Sequence, residues 1–285
     1  MASQPKTRTD FKHQLSKFVE TLPSHISTDD NQWTIKGFID SFRNIYTISA
    51  DTKVVSKILE IHLFPRLLEF AQETGYRIVL AEQQNYYPDF SFVSAGDERI
   101  KFAVDLKTTY RIPEHPDFCN GFTLGSHGEY FVERTSRKNI QFPYNEYLGH
   151  FCLGIIYSRT GSEKVDETHT YSVSKLHSII SVIRDFQFFV AEKWEIASDR
   201  QGSSNTANIG SIVKISDLLA ANGVFKHLGE EWFDDYWMNY GKIVTTTPAG
   251  KPKKITTLRE FLAYRGKDPA LANSMVNKPA RKNSR

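Results

Sequence analysis

The chain has little of what would place it in several large functional classes. Only two of its 285 residues are cysteine, Cys119 and Cys152, and they form no Cys-x-x-Cys pair. That excludes a disulfide framework and a zinc site of the usual spacing, and a reducing compartment is the natural setting. No apolar run approaches the roughly 20 residues needed to span a bilayer. The opening Met1-Ala2-Ser3-Gln4-Pro5-Lys6 lacks the apolar stretch of a secretory signal. A cytoplasmic protein with no membrane partner is expected. There is no internal repeat. Net charge is also scarce, at +3, but it divides unevenly. Residues 251–285 hold ten Lys/Arg against two Asp/Glu, leaving 26 against 31 to the other 250 residues. A basic end of this kind attracts nucleic acid without reading its sequence. Residues 266–285 are expected to form a basic, disordered tail.

What is present is enough for a large core. Hydrophobic residues make up 40% of the chain, with 20 Phe and 13 Tyr, and no clear linker interrupts them, so 1–265 is expected to be a single domain. Apolar spacing predicts helices over 11–22 and 52–72, the second containing Pro65, which can kink or divide it. Strands are expected at 77–80, 88–93, 100–108 and 151–158, a helix over 174–185 and an aromatic-rich strand over 186–196. Residues 111–129 and 198–211 read as loops and 243–258 as an exposed connection. The class is α/β (α+β), with a mixed central sheet flanked by helices.

One segment carries chemistry. Ile100, Phe102, Val104 and Leu106 alternate with Lys101, Ala103, Asp105 and Lys107, the period of a strand with one apolar face. Phe90 and Phe92 alternate with Asp89 and Ser91 in the same way, and Ser94–Arg99 between the runs is a glycine-bearing turn. A hairpin centred on Asp97 pairs Phe90 with Val104 and Phe92 with Phe102. It sets Asp89 opposite Asp105, with Lys107 on the same face, and a slip of one residue would bury the acids. Facing carboxylates repel unless a cation lies between them. Magnesium prefers oxygen ligands, which Asp89, Asp105 and the Leu106 carbonyl would supply. Lys107 would orient or deprotonate water, or stabilise charge developing on a phosphate. An Asp-x-Lys alone is equally a surface ion pair; the preceding Pro88-Asp89 and the register favour the metal site. By spacing alone, Glu60 is an exposed helical glutamate.

The polar stretch 198–211 offers Ser, Asn, Thr and Gly groups suited to base edges, since Asn pairs with adenine and a Thr methyl meets the thymine methyl. Gln83-Gln84-Asn85 adds an amide-rich patch just ahead of the acids. Either is also ordinary turn chemistry.

Taken together, these blocks resemble the EcoRV family of type II restriction endonucleases. Pro88-Asp89 with Asp105-Leu106-Lys107 is similar to the PD-(D/E)xK nuclease signature. More specific are Asp51-Thr52-Lys53-Val54, Gln83–Phe90, Asp105–Tyr110, Ser204–Ser211 and Asp235-Tyr236-Trp237, in the family's order over residues 45–240. The resemblance implies a restriction-endonuclease-like core and a homodimer cutting both strands of double-stranded DNA at a palindrome. The implied site is GATATC or a close variant, with blunt ends, and the implied cofactor is Mg2+, with Mn2+ able to substitute. It implies Asp89, Asp105 and Glu60 as metal and catalytic residues, Leu106 as a carbonyl ligand and Lys107 as the catalytic lysine. It places Gly202, Ser203, Ser204, Asn205, Thr206 and Asn208 in the major groove, Gln84 and Asn85 near the minor groove, and Thr109 and Tyr110 near the DNA backbone. A companion DNA methyltransferase encoded nearby is implied too. The chain departs from the family at Ser204, Ala207 and Met238. Two alternatives stand beside this reading: a repair or recombination nuclease on the same core, and a DNA-binding protein without catalysis.

Overall fold

The computed structural model describes residues 4–83, 85–161, 165–166, 168–202 and 207–274. The helices in chain order are α1 (Gln4–Val19), α2 (Leu22–Ile26), α3 (Thr52–Glu73), α4 (Glu129–Val132), α5 (Ile215–Leu219), α6 (Glu230–Asn239) and α7 (Leu258–Tyr264). The strands are β1 (Gly37–Ile39), β2 (Asn44–Thr47), β3 (Tyr76–Leu80), β4 (Phe90–Ser94), β5 (Lys101–Ile112), β6 (His115–Cys119), β7 (Thr123–Ser126), β8 (Gly149–Arg159), β9 (Thr170–Ser172), β10 (Ile183–Glu192), β11 (Ala197–Gln201), β12 (Asn208–Ser211), β13 (Val244–Thr246) and β14 (Pro252–Lys254). The fold is mixed α+β, as expected. Its central sheet runs β10-β8-β5-β4-β3, with β6 paired to β5; smaller sheets are β1-β2-β9, β11-β12-β7 and β13-β14. The chain forms two compact units from interleaved segments: 1–78, 106–120 and 153–190 in the first; 79–105, 121–152 and 191–285 in the second.

In the first unit, α3 begins where the sequence says it should. Asp51 caps it, its Oδ1 accepting from the backbone N–H groups of Lys53 and Val54 at 2.9 and 3.2 Å. Val55, Ile58, Leu59, Leu63, Leu67 and Phe70 are buried at helical spacing. Pro65 does not divide the helix. The carbonyl it leaves without a donor, on Ile61, lies with Pro65 on the exposed side, where water can serve it. The expected helix over 11–22 is instead α1 and α2, separated at Glu20–Thr21. The expected helix over 174–185 is absent. Val173–Ser178 is a 3-10 helix with no buried residue, so it has no apolar face to hold a longer helix, and β10 follows it. The expected loop over 111–129 holds strands, because β5 continues to Ile112 and turns back as β6, pairing Arg111 with Cys119. His115-Pro116-Asp117 carries no strand propensity, which is why it reads as loop.

In the second unit, β4 and β5 pair in the predicted register: Phe90 with Val104, Ser91 with Ala103, Phe92 with Phe102. The turn is closed by Ser94 N–H to the Ile100 carbonyl at 3.0 Å. One expectation fails here. The polar face is not open, since Ser91, Ala103 and Asp105 are buried. Tyr147 covers it, its hydroxyl 2.7 Å from that of Ser91. The expected loop over 198–211 is a hairpin, with β11 and β12 paired from Ala197–Ser211 to Gln201–Ile209 and β12 paired in turn to β7. The connection over 243–258 is a second, exposed hairpin, β13–β14. Within the expected tail, residues 269–274 form a 3-10 turn against α7; residues 275–285 lie outside the described residues. His127, just past β7, is buried against Trp237 and Tyr240 with ring centroids 5.2 and 5.4 Å away. Its Nε2 takes the Gln201 amide at 3.1 Å, which calls for the neutral ring. Burial first, then the charge of Lys242, holds its pKa below the usual imidazole value.

Two stability predictions follow from these contacts. Asp51→Ala should lower unfolding free energy by about 1 kcal/mol in urea titration while Asp51→Asn loses less; equal losses would show that capping is not the role. A depressed imidazole pKa means the unfolded chain takes up its proton first as pH falls through about 6.5, so stability drops on acidification. The urea midpoint should therefore fall between pH 7.5 and 5.5, and fall less in His127→Asn. An identical fall in both would remove His127 from the titration.

Candidate active site

Asp89 stands one residue ahead of β4, after a cis Tyr87–Pro88 peptide. The ladder that pairs Phe90 with Val104 leaves Asp89 next to Asp105, and the Asp89 backbone N–H donates to Asp105 Oδ1 at 3.1 Å. Asp105 is only 7% exposed and Asp89 is half-buried. The Asp89 backbone and the Asp105 carboxylate thus meet at the end of a ladder in the predicted register. The division between the two units falls inside β5, between Asp105 and Leu106. Lys107 lies two residues along the strand from Asp105, so the pleat sends both side chains from the same strand face. Lys107 is half-buried and Leu106 is buried.

The donor set suits a hard cation. Magnesium commonly uses one or two carboxylates and takes its remaining oxygens from substrate and water. Among the described residues no group of three or more His, Cys, Asp or Glu side chains stands ready as a larger ligand set.

An aromatic cluster underlies this pair, and nothing in the local spacing pointed to it. Tyr87 is buried, its hydroxyl 3.0 Å from His150 Nδ1. Its ring stacks on Tyr130 at 5.5 Å between centroids, and Tyr144 stacks on His150 at 3.6 Å. Lys193 Nζ sits 5.1 Å from the centre of the Tyr87 ring. Burial first, then the neighbouring Asp105 charge, pushes the Tyr87 phenol well above its usual pKa, so it stays a neutral hydroxyl. The only sequence signal for this cluster is the abundance of tyrosine.

The remaining predicted residues are distributed as follows. In the first unit, Glu60 is on α3, held by Lys57 Nζ at 2.7 Å. Thr109 is 1% exposed, while the half-buried Tyr110 carries the Arg159 guanidinium over its ring at 3.6 Å. In the second unit, Asn85 is exposed beside the turn closed by Tyr86 N–H to the Gln83 carbonyl. Gly202 is exposed and Asn208 half-exposed at the base of the β11–β12 hairpin, joined by Gly202 N–H to the Asn208 carbonyl at 3.0 Å. Gln84, Ser203, Ser204, Asn205 and Thr206 lie outside the described residues. Gly210 explains the tight base: a Cβ there would lie 2.6 Å from the Arg200 carbonyl oxygen and 3.0 Å from Gly202 N. The Asp235-Tyr236-Trp237 block proves architectural. The Tyr236 hydroxyl donates to the Asp199 and Thr256 carbonyls at 2.6 and 3.1 Å, tying α6 to β11.

Comparison with known proteins shows the family. The family described as restriction endonuclease EcoRV matches residues 29–266, which include the acidic pair, Lys107 and the β11–β12 hairpin. The type II restriction enzyme EcoRV of Escherichia coli is 34% identical over 241 residues, covering 84% of this chain and 95% of that protein. With a paired Asp89 and Asp105, Lys107 on the same strand face and a match across most of its length, the chain belongs to the restriction endonuclease EcoRV family.

Proposed function

We propose that the chain is a magnesium-dependent type II restriction endonuclease. It hydrolyses both strands of double-stranded DNA as a homodimer, at GATATC or a close variant, leaving blunt ends. The observation that carries this reading is the Asp89 backbone N–H bonded to the Asp105 carboxylate at 3.1 Å, with Lys107 two residues further along β5. A phosphodiester resists attack because its charge repels nucleophiles. Held by Asp89, Asp105 and the Leu106 carbonyl, magnesium supplies charge neutralisation and the acidification of water; Mn2+ can substitute. Lys107 orients or deprotonates the attacking water, or stabilises charge growing on phosphorus. Glu60, whose Oε1 accepts from Lys57, would serve a metal or organise water.

Target reading belongs to Gly202 through Asn208, with Gln84 and Asn85 approaching the minor groove. Ser204 and Ala207, where relatives carry glycine and threonine, are the positions at which the site would depart from GATATC. Of the two residues expected near the DNA backbone, Tyr110 is the better presented, because the Thr109 side chain is buried. A symmetric target calls for a symmetric protein. The β1–β2 hairpin offers exposed apolar side chains for the second copy: Phe38 opposite Tyr46 on one face, with Phe42 in the turn, 47–83% exposed. A companion methyltransferase would protect the host's own sites. No helix among the described residues is long and apolar enough to cross a membrane.

Plasmid DNA incubated with the protein and Mg2+ should give discrete fragments whose sequenced ends fall at one palindrome with blunt cuts. A smear would favour a repair nuclease, and no cutting by folded protein would favour a non-catalytic binder. Asp105→Ala should lower the cleavage rate by at least about 10³-fold with duplex binding largely kept. Retained cleavage would remove Asp105 from the mechanism.

A further inference from the structure

Lys193 is a buried cation with no part in the proposed hydrolysis. It follows β10 directly and is 4% exposed. Its ammonium sits among the rings of Tyr87, Phe131 and Tyr144, 5.1, 5.2 and 5.6 Å from their centres. The three rings come from separate segments of the second unit: Tyr87 just ahead of β4, Phe131 on α4 and Tyr144 in the 3-10 turn Tyr144–Glu146. An ammonium taken out of water is costly unless opposite charge, hydrogen bonds or ring faces compensate it. All three rings lie within the reach of a cation–π contact.

Of these rings, Tyr87 is the one to which Lys193 matters most. Phe131 and Tyr144 also lie under the Arg134 guanidinium, at 4.4 and 4.2 Å, and Arg134 is anchored by Asp234 at 2.7 Å. Tyr87 is fixed by its stack on Tyr130, by its hydroxyl 3.0 Å from His150 Nδ1 and by the Lys193 ammonium. Its backbone is tied to the 139–141 segment: the Tyr87 N–H donates to the Asn139 carbonyl at 3.0 Å and the Gln141 N–H to the Tyr87 carbonyl at 2.8 Å. A residue held this way leaves little freedom to Asp89, since only Pro88, with its fixed φ, stands between them. Asp89 in turn gives its N–H to Asp105. Strand β7 closes on the same ammonium: a Cβ on Gly125 would lie 3.3 Å from Lys193 Nζ and 3.7 Å from Tyr87 Cδ2.

We propose that Lys193 is a positioning residue for the cation site: its caged ammonium locks the Tyr87 ring, and the locked Tyr87 holds Asp89 where its carboxylate can share a divalent cation with Asp105. The proposal rests on the reading of Asp89 and Asp105 as metal ligands. Two consequences of the Lys193 charge oppose each other. As a bare positive charge it repels a second cation, and its loss would tighten metal binding. As the lock on Tyr87 it organises the ligands, and its loss loosens metal binding. Groups that orient ligands from behind commonly decide about 10–100-fold in metal affinity, so placement is the larger effect.

The test is calorimetric titration of Mn2+ into the unaltered chain and into Lys193→Met, which keeps the stem and removes the charge. Apolar replacement of a buried charge is often neutral or stabilising, so the thermal midpoint should not fall. Mn2+ affinity should nevertheless drop about tenfold, and the single-turnover cleavage rate with it. Lys193→Arg, which keeps a positive charge among the rings, should recover most of both. Phe131→Leu removes one wall of the cage, should shift affinity in the same direction, and serves if Lys193→Met does not fold. Unchanged or tighter Mn2+ binding in Lys193→Met, or an arginine variant as weak as the methionine one, would overturn the lock. Absence of Mn2+ binding in the unaltered protein would instead overturn the cation site on which it rests.

Discussion

A carboxylate taken out of water has to be compensated, and Asp105 is the place where this fold accepts that demand. It is almost fully buried at the end of the β4–β5 ladder and receives the Asp89 N–H. The strand register makes this possible. A slip of two residues would keep the apolar faces matched but carry Asp89 about 7 Å along the sheet from Asp105. The phenylalanines at 90, 92 and 102 and the buried strand β8 hold the register, so the hydrophobic core and the acidic pair specify one another. A divalent cation against a phosphate is what the proposed function adds at these two carboxylates.

Much of this was legible in the residues. The alternation around Phe102 and Phe92 sets which face each residue takes, the turn centred on Asp97 sets the pairing, and the helix from Asp51 announces itself with a cap and a long buried stripe. Pro65 misled only about continuity, because its cost depends on which side of the helix faces water. The misses share a cause. β6, β11 and β12 are short strands rich in His, Pro, Asp, Ser and Gly, formed because neighbouring strands accept them and not because their own residues favour extension. Residues 174–185 have apolar positions at helical spacing, yet Val173–Ser178 buries none of them, and burial is what a helix of that length requires. The covering of the acidic face by Tyr147, and the stack of Tyr87, Tyr130, Tyr144 and His150, join residues some sixty positions apart, which no local pattern encodes.

That aromatic stack changes the character of the site. A metal pair on an exposed sheet edge would be set by strand geometry alone. Here the segment before Asp89 is gripped by rings, by a buried ammonium and by a strand that also belongs to the hairpin assigned to DNA. Gly125, at φ +85°, packs closely against the Tyr130 and Lys193 side chains, and Gly210 meets the Arg200 backbone at the hairpin base. Family membership says what kind of chemistry the chain performs.

The central claim is that Asp89 and Asp105 form a cation site. The most direct measurement is calorimetric titration of Mn2+ into the protein, compared with Asp105→Asn and with Glu60→Gln. The account predicts binding in the unaltered chain that is lost in Asp105→Asn and largely retained in Glu60→Gln. Equal binding in the unaltered chain and Asp105→Asn, or no binding in the unaltered chain, would contradict it.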